Sequence, residues 1–172
     1  AGGGGGMGGA GGMGGAGGTG GTGGAGGQAM HQCGPFAVSA IEPEAPADDQ
    51  WVFRGQNGNE GLTQGSCAGG GAETVIPWQA PADGVYTLTT VGGAEYDTTL
   101  YVRSQCINPN SELQCNDDSI GLRSTLLVEA DAGDPLYIFV DAWAGGEGEP
   151  FTLFAFRADA DEAPTVTAAA AA

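Results

Sequence analysis

Nine consecutive X-Gly-Gly triplets fill residues 1–27. The variable positions are Ala1, Gly4, Met7, Ala10, Met13, Ala16, Thr19, Thr22 and Ala25, and every other position is glycine. A flexible linker needs no phase, because a disordered chain has nothing to align. The unbroken phase therefore predicts a structure with three residues per turn, an extended left-handed helix of the polyproline II type. One edge of that helix carries all the variable side chains, and the other two are bare backbone. Such a helix has no internal hydrogen bonds, so its N–H and C=O groups need partners from outside wherever they are buried.

This arm is expected to act in assembly. Gly2, Gly3, Gly8, Gly9, Gly14, Gly15, Gly26 and Gly27 lie on the bare edges, where a second backbone approaches closely. Met7 and Met13 lie on the variable edge and suit apolar packing better than copper, since no histidine or cysteine supports the two thioethers. At about 3.1 Å per residue the arm reaches roughly 80 Å, far enough to meet a neighbouring subunit. A disordered tether is the competing expectation for a glycine-rich tail.

The rest of the chain differs in kind. Nineteen of the 35 glycines fall in residues 1–27, and the other 145 residues have ordinary globular composition. The 172-residue chain carries 21 acidic residues against Arg54, Arg103, Arg123 and Arg157, with no lysine, for a net charge of -17. That charge repels nucleic acid and anionic lipid and suits divalent cations, cationic partners or colloidal repulsion. No apolar run is long enough for a membrane helix. The chain begins at Ala1 rather than methionine, which fits a mature form whose targeting segment has been removed.

Four cysteines, Cys33, Cys67, Cys106 and Cys115, lack zinc spacing, and His31 is the only histidine. Four cysteines allow three pairings. Loop length favours Cys106–Cys115, which leaves Cys33–Cys67, at roughly 3 kcal/mol each. Buried free thiols are the alternative. Disulfides imply an oxidising compartment, hence an extracellular or cell-surface protein.

Residues 28–49 are a linker or anchor segment, in which Met30, Cys33 and Phe36–Ile41 suggest a first anchored strand. From residue 50 the pattern is β. Strands are expected at 50–54, 73–78, 85–91, 98–103, 122–129, 135–141 and 150–157, rich in Val, Thr, Tyr and Phe and divided by Gly, Pro, Asn and Asp. Tyr86 and Leu88 share a face, as do Leu136, Ile138 and Val140, and as do Thr152, Phe154 and Phe156. No window carries a helical stripe. The fold class is all-β, an antiparallel sandwich over 50–157, with the extended polyglycine arm before it and a tail at 158–172.

Several stretches carry a resemblance. They are Glu73–Trp78, Ala80–Leu88, Tyr96–Val102, Cys106, Cys115–Asp118, Ser124–Leu127, Leu136–Asp141 and Pro150–Leu153. In order and spacing, residues 67–157 resemble the bacterial pre-peptidase C-terminal domain. The resemblance implies a jelly-roll-like sandwich and a non-catalytic module that binds surfaces, substrate polymers or calcium.

The acidic residues bear on calcium independently. Asn116, Asp117 and Asp118 crowd one loop, Asp97 begins a strand and Asp141 ends one. Calcium takes six to eight hard oxygens, which loops at one end of a sandwich can supply. The same residues also cap turns by accepting backbone N–H bonds. No nucleophile or phosphate-loop motif occurs, and a dinucleotide site is excluded because no strand precedes the glycine tract. Together these features point to a non-enzymatic subunit of an extracellular filament or surface assembly that polymerises with copies of itself through the arm. The alternative is a secreted binding module for a polysaccharide or protein on a glycine tether.

Overall fold

A computed structural model describes residues 2, 33, 41, 43–44, 49–58, 61–67, 69–145 and 148–158. Eight strands follow in chain order: β1 (Gln50–Gln56), β2 (Glu73–Gln79), β3 (Gly84–Thr89), β4 (Thr98–Arg103), β5 (Glu112–Asn116), β6 (Thr125–Ala130), β7 (Pro135–Ala142) and β8 (Pro150–Ala158). They form two four-stranded sheets, ordered β1-β8-β3-β6 and β2-β7-β4-β5, with every pairing antiparallel. Successive strands alternate between sheets except at the β4–β5 hairpin, in the order of a jelly roll. Among the described residues no helix is long and apolar enough to cross a membrane.

The β1-β8-β3-β6 sheet shows the side-chain period of two. Tyr86 and Leu88 of β3, Leu126 and Val128 of β6, and Phe151, Leu153 and Ala155 of β8 point into the shared core. Thr152, Phe154 and Phe156 share one face, as expected, and it is the outward one. In the other sheet the alternation disappears. Thr98–Arg103 is buried at every position, and so is Leu136–Ala142. Strands buried on both faces read as continuous runs. This sheet therefore has a second layer over its outer face.

Turn chemistry sets the strand ends. The Tyr86 hydroxyl donates to the Ala82 carbonyl at 2.5 Å and accepts from the Ala82 N–H at 3.2 Å, closing the turn before β3. Thr90, which the sequence pattern assigns to a strand, leaves β3 to bond Thr98 Oγ1 at 2.7 Å and to accept from the Ser124 N–H at 3.1 Å. All three residues are fully buried. That hydroxyl cluster delays the following strand, so β6 begins at Thr125 and not at residue 122.

Two further expectations need correction. β5 is absent from the sequence reading, because Glu112-Leu113-Gln114-Cys115-Asn116 is a short edge strand whose alternation rests on Leu113 and Cys115 alone, with no β-branched or aromatic residue. The disulfides are Cys33–Cys106 and Cys67–Cys115, so both pairings favoured by loop length are wrong. The β4–β5 hairpin explains why. It pairs Cys115 with Tyr101, whereas Cys106 lies beyond the end of β4 at Arg103, so the two cysteines stand at different levels. The real loops close over separations of 73 and 48 residues. Chain entropy then assigns each about 4 kcal/mol. Disulfides of this kind persist in oxidising compartments, extracellular or periplasmic.

Candidate functional site

The outer layer is a strap, residues 61–67 and 69–71, that runs out across the β2-β7-β4-β5 sheet and returns. The Leu62 N–H donates to both Glu73 carboxylate oxygens, at 3.0 and 2.9 Å, on β2. Thr63 Oγ1 and the Gln64 carbonyl accept from the Arg103 guanidinium of β4, at 3.1 and 2.9 Å. The Ser66 N–H donates to the Glu112 carboxylate, and Cys67 is bonded to Cys115, both on β5. The strap then crosses back. The Gly70 N–H donates to Asp141 Oδ2 at 3.1 Å and the Gly71 N–H to the Ala142 carbonyl at 3.1 Å, both on β7.

Glycine makes the close passage possible. A Cβ on Gly65 would sit 2.5 Å from Cys115 Sγ and 2.8 Å from the Tyr101 ring. Gly69 has φ +104, a conformation that favours glycine, and turns the strap back toward Asp141.

Beneath the strap lies a second small core of Cys33, Val75, Tyr101, Cys106, Tyr137 and Phe139. The Tyr101 and Phe139 rings stack at 4.5 Å and 10°. The Arg103 guanidinium lies 5.0 and 4.8 Å from their centroids, a cation–π arrangement in a buried setting. Arg103 is 1% exposed and also donates to the Cys106 carbonyl at 3.4 Å.

Glu73 and Asp141 face each other across β2 and β7 and are both buried. Like charges in directly opposed positions repel. Burial pushes the Asp141 carboxyl up to about 7, with the Glu73 charge adding to the rise and the Gly70 N–H opposing it. Burial also raises Glu73, against its bond from Leu62 and the attraction of Arg103. Asp141 Oδ1 has no hydrogen-bond partner among the described residues, which suits a group that holds a proton near neutrality.

The Cys33–Cys106 bond joins this face to the chain that leads to the arm. Cys33 lies six residues past Gly27 and is 1% exposed against the second core. Of the residues assigned to the arm, Gly2 is described and has φ +98. Gly3, Met7, Gly8, Gly9, Met13, Gly14, Gly15, Gly26 and Gly27 lie outside the described residues, as do Met30 and 36–40 of the expected anchor strand.

The five residues expected to hold calcium do not form one site. Asn116 Oδ1 accepts from the Thr125 N–H at 3.0 Å, and Asp117 Oδ1 accepts from Thr99 Oγ1 at 2.9 Å, so both act as turn residues. Asp97 stands near this loop. Burial raises its carboxyl, and Asp117 and Asp118 add to the rise. Asp141 is bound to the strap instead. Among the described residues no group of three or more metal-ligating side chains is arranged to hold an ion.

The sequence reading missed Glu73, Arg103 and the strap. A signal existed in the unbroken apolar runs Leu100–Val102 and Leu136–Val140, which demand cover on both faces.

No family model matches the chain, and no curated protein does. Among solved structures, the chain is similar to the crystal structure of Aeromonas hydrophila PliG, a periplasmic lysozyme inhibitor of g-type lysozyme. The two are 14% identical, with a TM-score of 0.47, over 70% of this chain and 97% of that one. At that level no role passes from one chain to the other.

Proposed function

We propose that this protein is a non-enzymatic structural subunit of an extracellular filament or surface assembly, joined to its neighbours through the X-Gly-Gly arm. The observation that carries this reading is the covalent attachment of the arm's root. Six residues past the last glycine triplet, Cys33 is bonded to Cys106 within a buried core. A tether whose only task is to hold a domain at a distance gains nothing from a second, covalent fastening. An arm that bears on other subunits does. The regular triplet phase and the absence of charge in residues 1–27 add support, since they suit close backbone contact between copies. A heterologous contact that does not close gives a fibre. The resemblance to the pre-peptidase C-terminal domain belongs to the same reading, as a non-catalytic module carried outside the cell.

The test is a side chain on a bare edge. Gly14→Val and Gly15→Val should abolish assembly in electron micrographs and sedimentation, with the melting temperature of the sandwich unchanged. Normal assembly by both variants would show that the arm is only a tether.

A further inference from the structure

We infer that the outer face of the β1-β8-β3-β6 sheet is the landing surface for the X-Gly-Gly arm of a neighbouring copy; this rests on the assembly reading above. The first observation is charge. The outward positions of these four strands carry one arginine, Arg54, and one glutamate, Glu129, in a chain of net charge -17. Arg54 is itself paired with Glu44 at 2.6 Å. Approach of another acidic body is opposed over most of the molecule. With Glu44 counted, this face carries one arginine against two glutamates, a formal charge of -1 in a chain of -17, and the arm's run of glycine, alanine, methionine and threonine carries none.

The second observation is the pattern of side chains. Register places Leu127, Thr87 and Phe156 in one row across β6, β3 and β8. Leu127 is 41% and Phe156 37% exposed. Phe154 forms the next row with Thr89 and stacks against Phe156 at 6.4 Å and 16°. The opposite sheet has its strap, whereas this one offers half-exposed aromatic and aliphatic groups to whatever approaches.

The third observation is a match of repeats. Neighbouring strands lie about 4.8 Å apart, so Leu127 and Phe156, two strands apart, are separated by about 9.6 Å along their row. A three-residue helix rising about 3.1 Å per residue repeats every ~9.3 Å. An arm laid across the strands presents equivalent glycine edges to Leu127 and to Phe156, with Thr87 between them. The absence of Cβ atoms lets the ring and the leucine meet the backbone directly. The chain's own arm is rooted at Cys33 in the small core under the strap of the opposite sheet, and isotopic labelling of one population separates that arm from a neighbour's.

Site-directed photocross-linking decides it. Benzoylphenylalanine replaces Leu127 in one population, which is mixed with isotopically labelled wild-type chains, assembled, irradiated and mapped by mass spectrometry. The expected cross-link joins position 127 to residues 1–27 of the labelled chain. A cross-link to the sandwich of either chain, or to the same chain's arm, overturns the proposal. In parallel, Leu127→Glu and Phe156→Glu should raise the concentration needed for assembly at least 10-fold with the melting temperature unchanged. If both variants assemble like the wild type, this face is wrong while the assembly reading stands. If the wild type stays monomeric at every concentration, both fall.

Discussion

Gly65 is a position in the strap where a single added carbon is costly. Its missing Cβ is the space through which the strap passes over Tyr101 and the Cys67–Cys115 bond. Gly65→Ala must displace either the ring or the sulfur, neither of which is a flexible chain end. Overpacking of this sort costs about 1–3 kcal/mol. Thermal melts should show a drop of several degrees with the fold retained. Asp141 is the complementary case, a residue whose substitution should help. Its carboxyl is raised from 3.8 to about 7, so the native state keeps a proton that the unfolded chain releases. The associated stability is complete below about pH 4 and declines as pH rises toward 7, beyond which it is lost. Asn has the shape of the protonated acid and still accepts the Gly70 N–H bond. Asp141→Asn should leave the melting temperature unchanged at pH 4 and raise it at pH 8, by a few kcal/mol at most. An equal shift at both pH values would mean that Asp141 is not protonated in the fold. Neither residue stands out in the sequence as a strap contact. Gly65 lies in a polar loop, and Asp141 looks like a strand-end carboxylate open to calcium, because nothing local reveals that Glu73 faces it.

The strap with its Cys67–Cys115 bond, and the Cys33–Cys106 bond at the arm's root, lie together over the β2-β7-β4-β5 sheet. Removing Cys67–Cys115 by paired Ala substitution frees the strap where it turns at β5, and removing Cys33–Cys106 frees the arm's root. Each should lower stability by up to about 4 kcal/mol, read from denaturant midpoints. The strap variant should also expose Tyr101 and Phe139, detected as binding of a hydrophobic dye. Most of the strands themselves were legible. β1, β2, β3, β4, β7 and β8 stand close to where their β-branched and aromatic runs place them, and the jelly-roll order agrees with the architecture that the resemblance implied. β5 was not legible, since Glu112–Asn116 has only Leu113 and Cys115 in alternation and no β-branched or aromatic residue, and its strand is completed by pairing with β4. The cysteine pairing failed for a related reason. Loop entropy ranks short closures first, but the strands decide which sulfurs meet.

At the scale of the whole molecule, charge and attachment govern behaviour. Twenty-one acidic residues against four arginines make every encounter between copies repulsive at low salt. The screening length falls from about 30 Å at 0.01 M to about 8 Å at 0.15 M. Assembly followed by light scattering should therefore accelerate over that range, and a rate that slows with salt would point to cationic partners instead. The Cys33–Cys106 bond has a mechanical consequence as well. Without it, tension on the arm would enter the body through residues 41–50 and reach β1 first, an edge strand that can be peeled from β8 one hydrogen bond at a time. With it, the pull bypasses the 73-residue span between the two sulfurs and arrives just past the end of β4, an interior strand held on one side by β7 and on the other by β5. β1 to β4 then sit inside a closed covalent ring and feel no stretching. The chain between Cys33 and Cys106 therefore cannot lengthen under load until that disulfide is reduced.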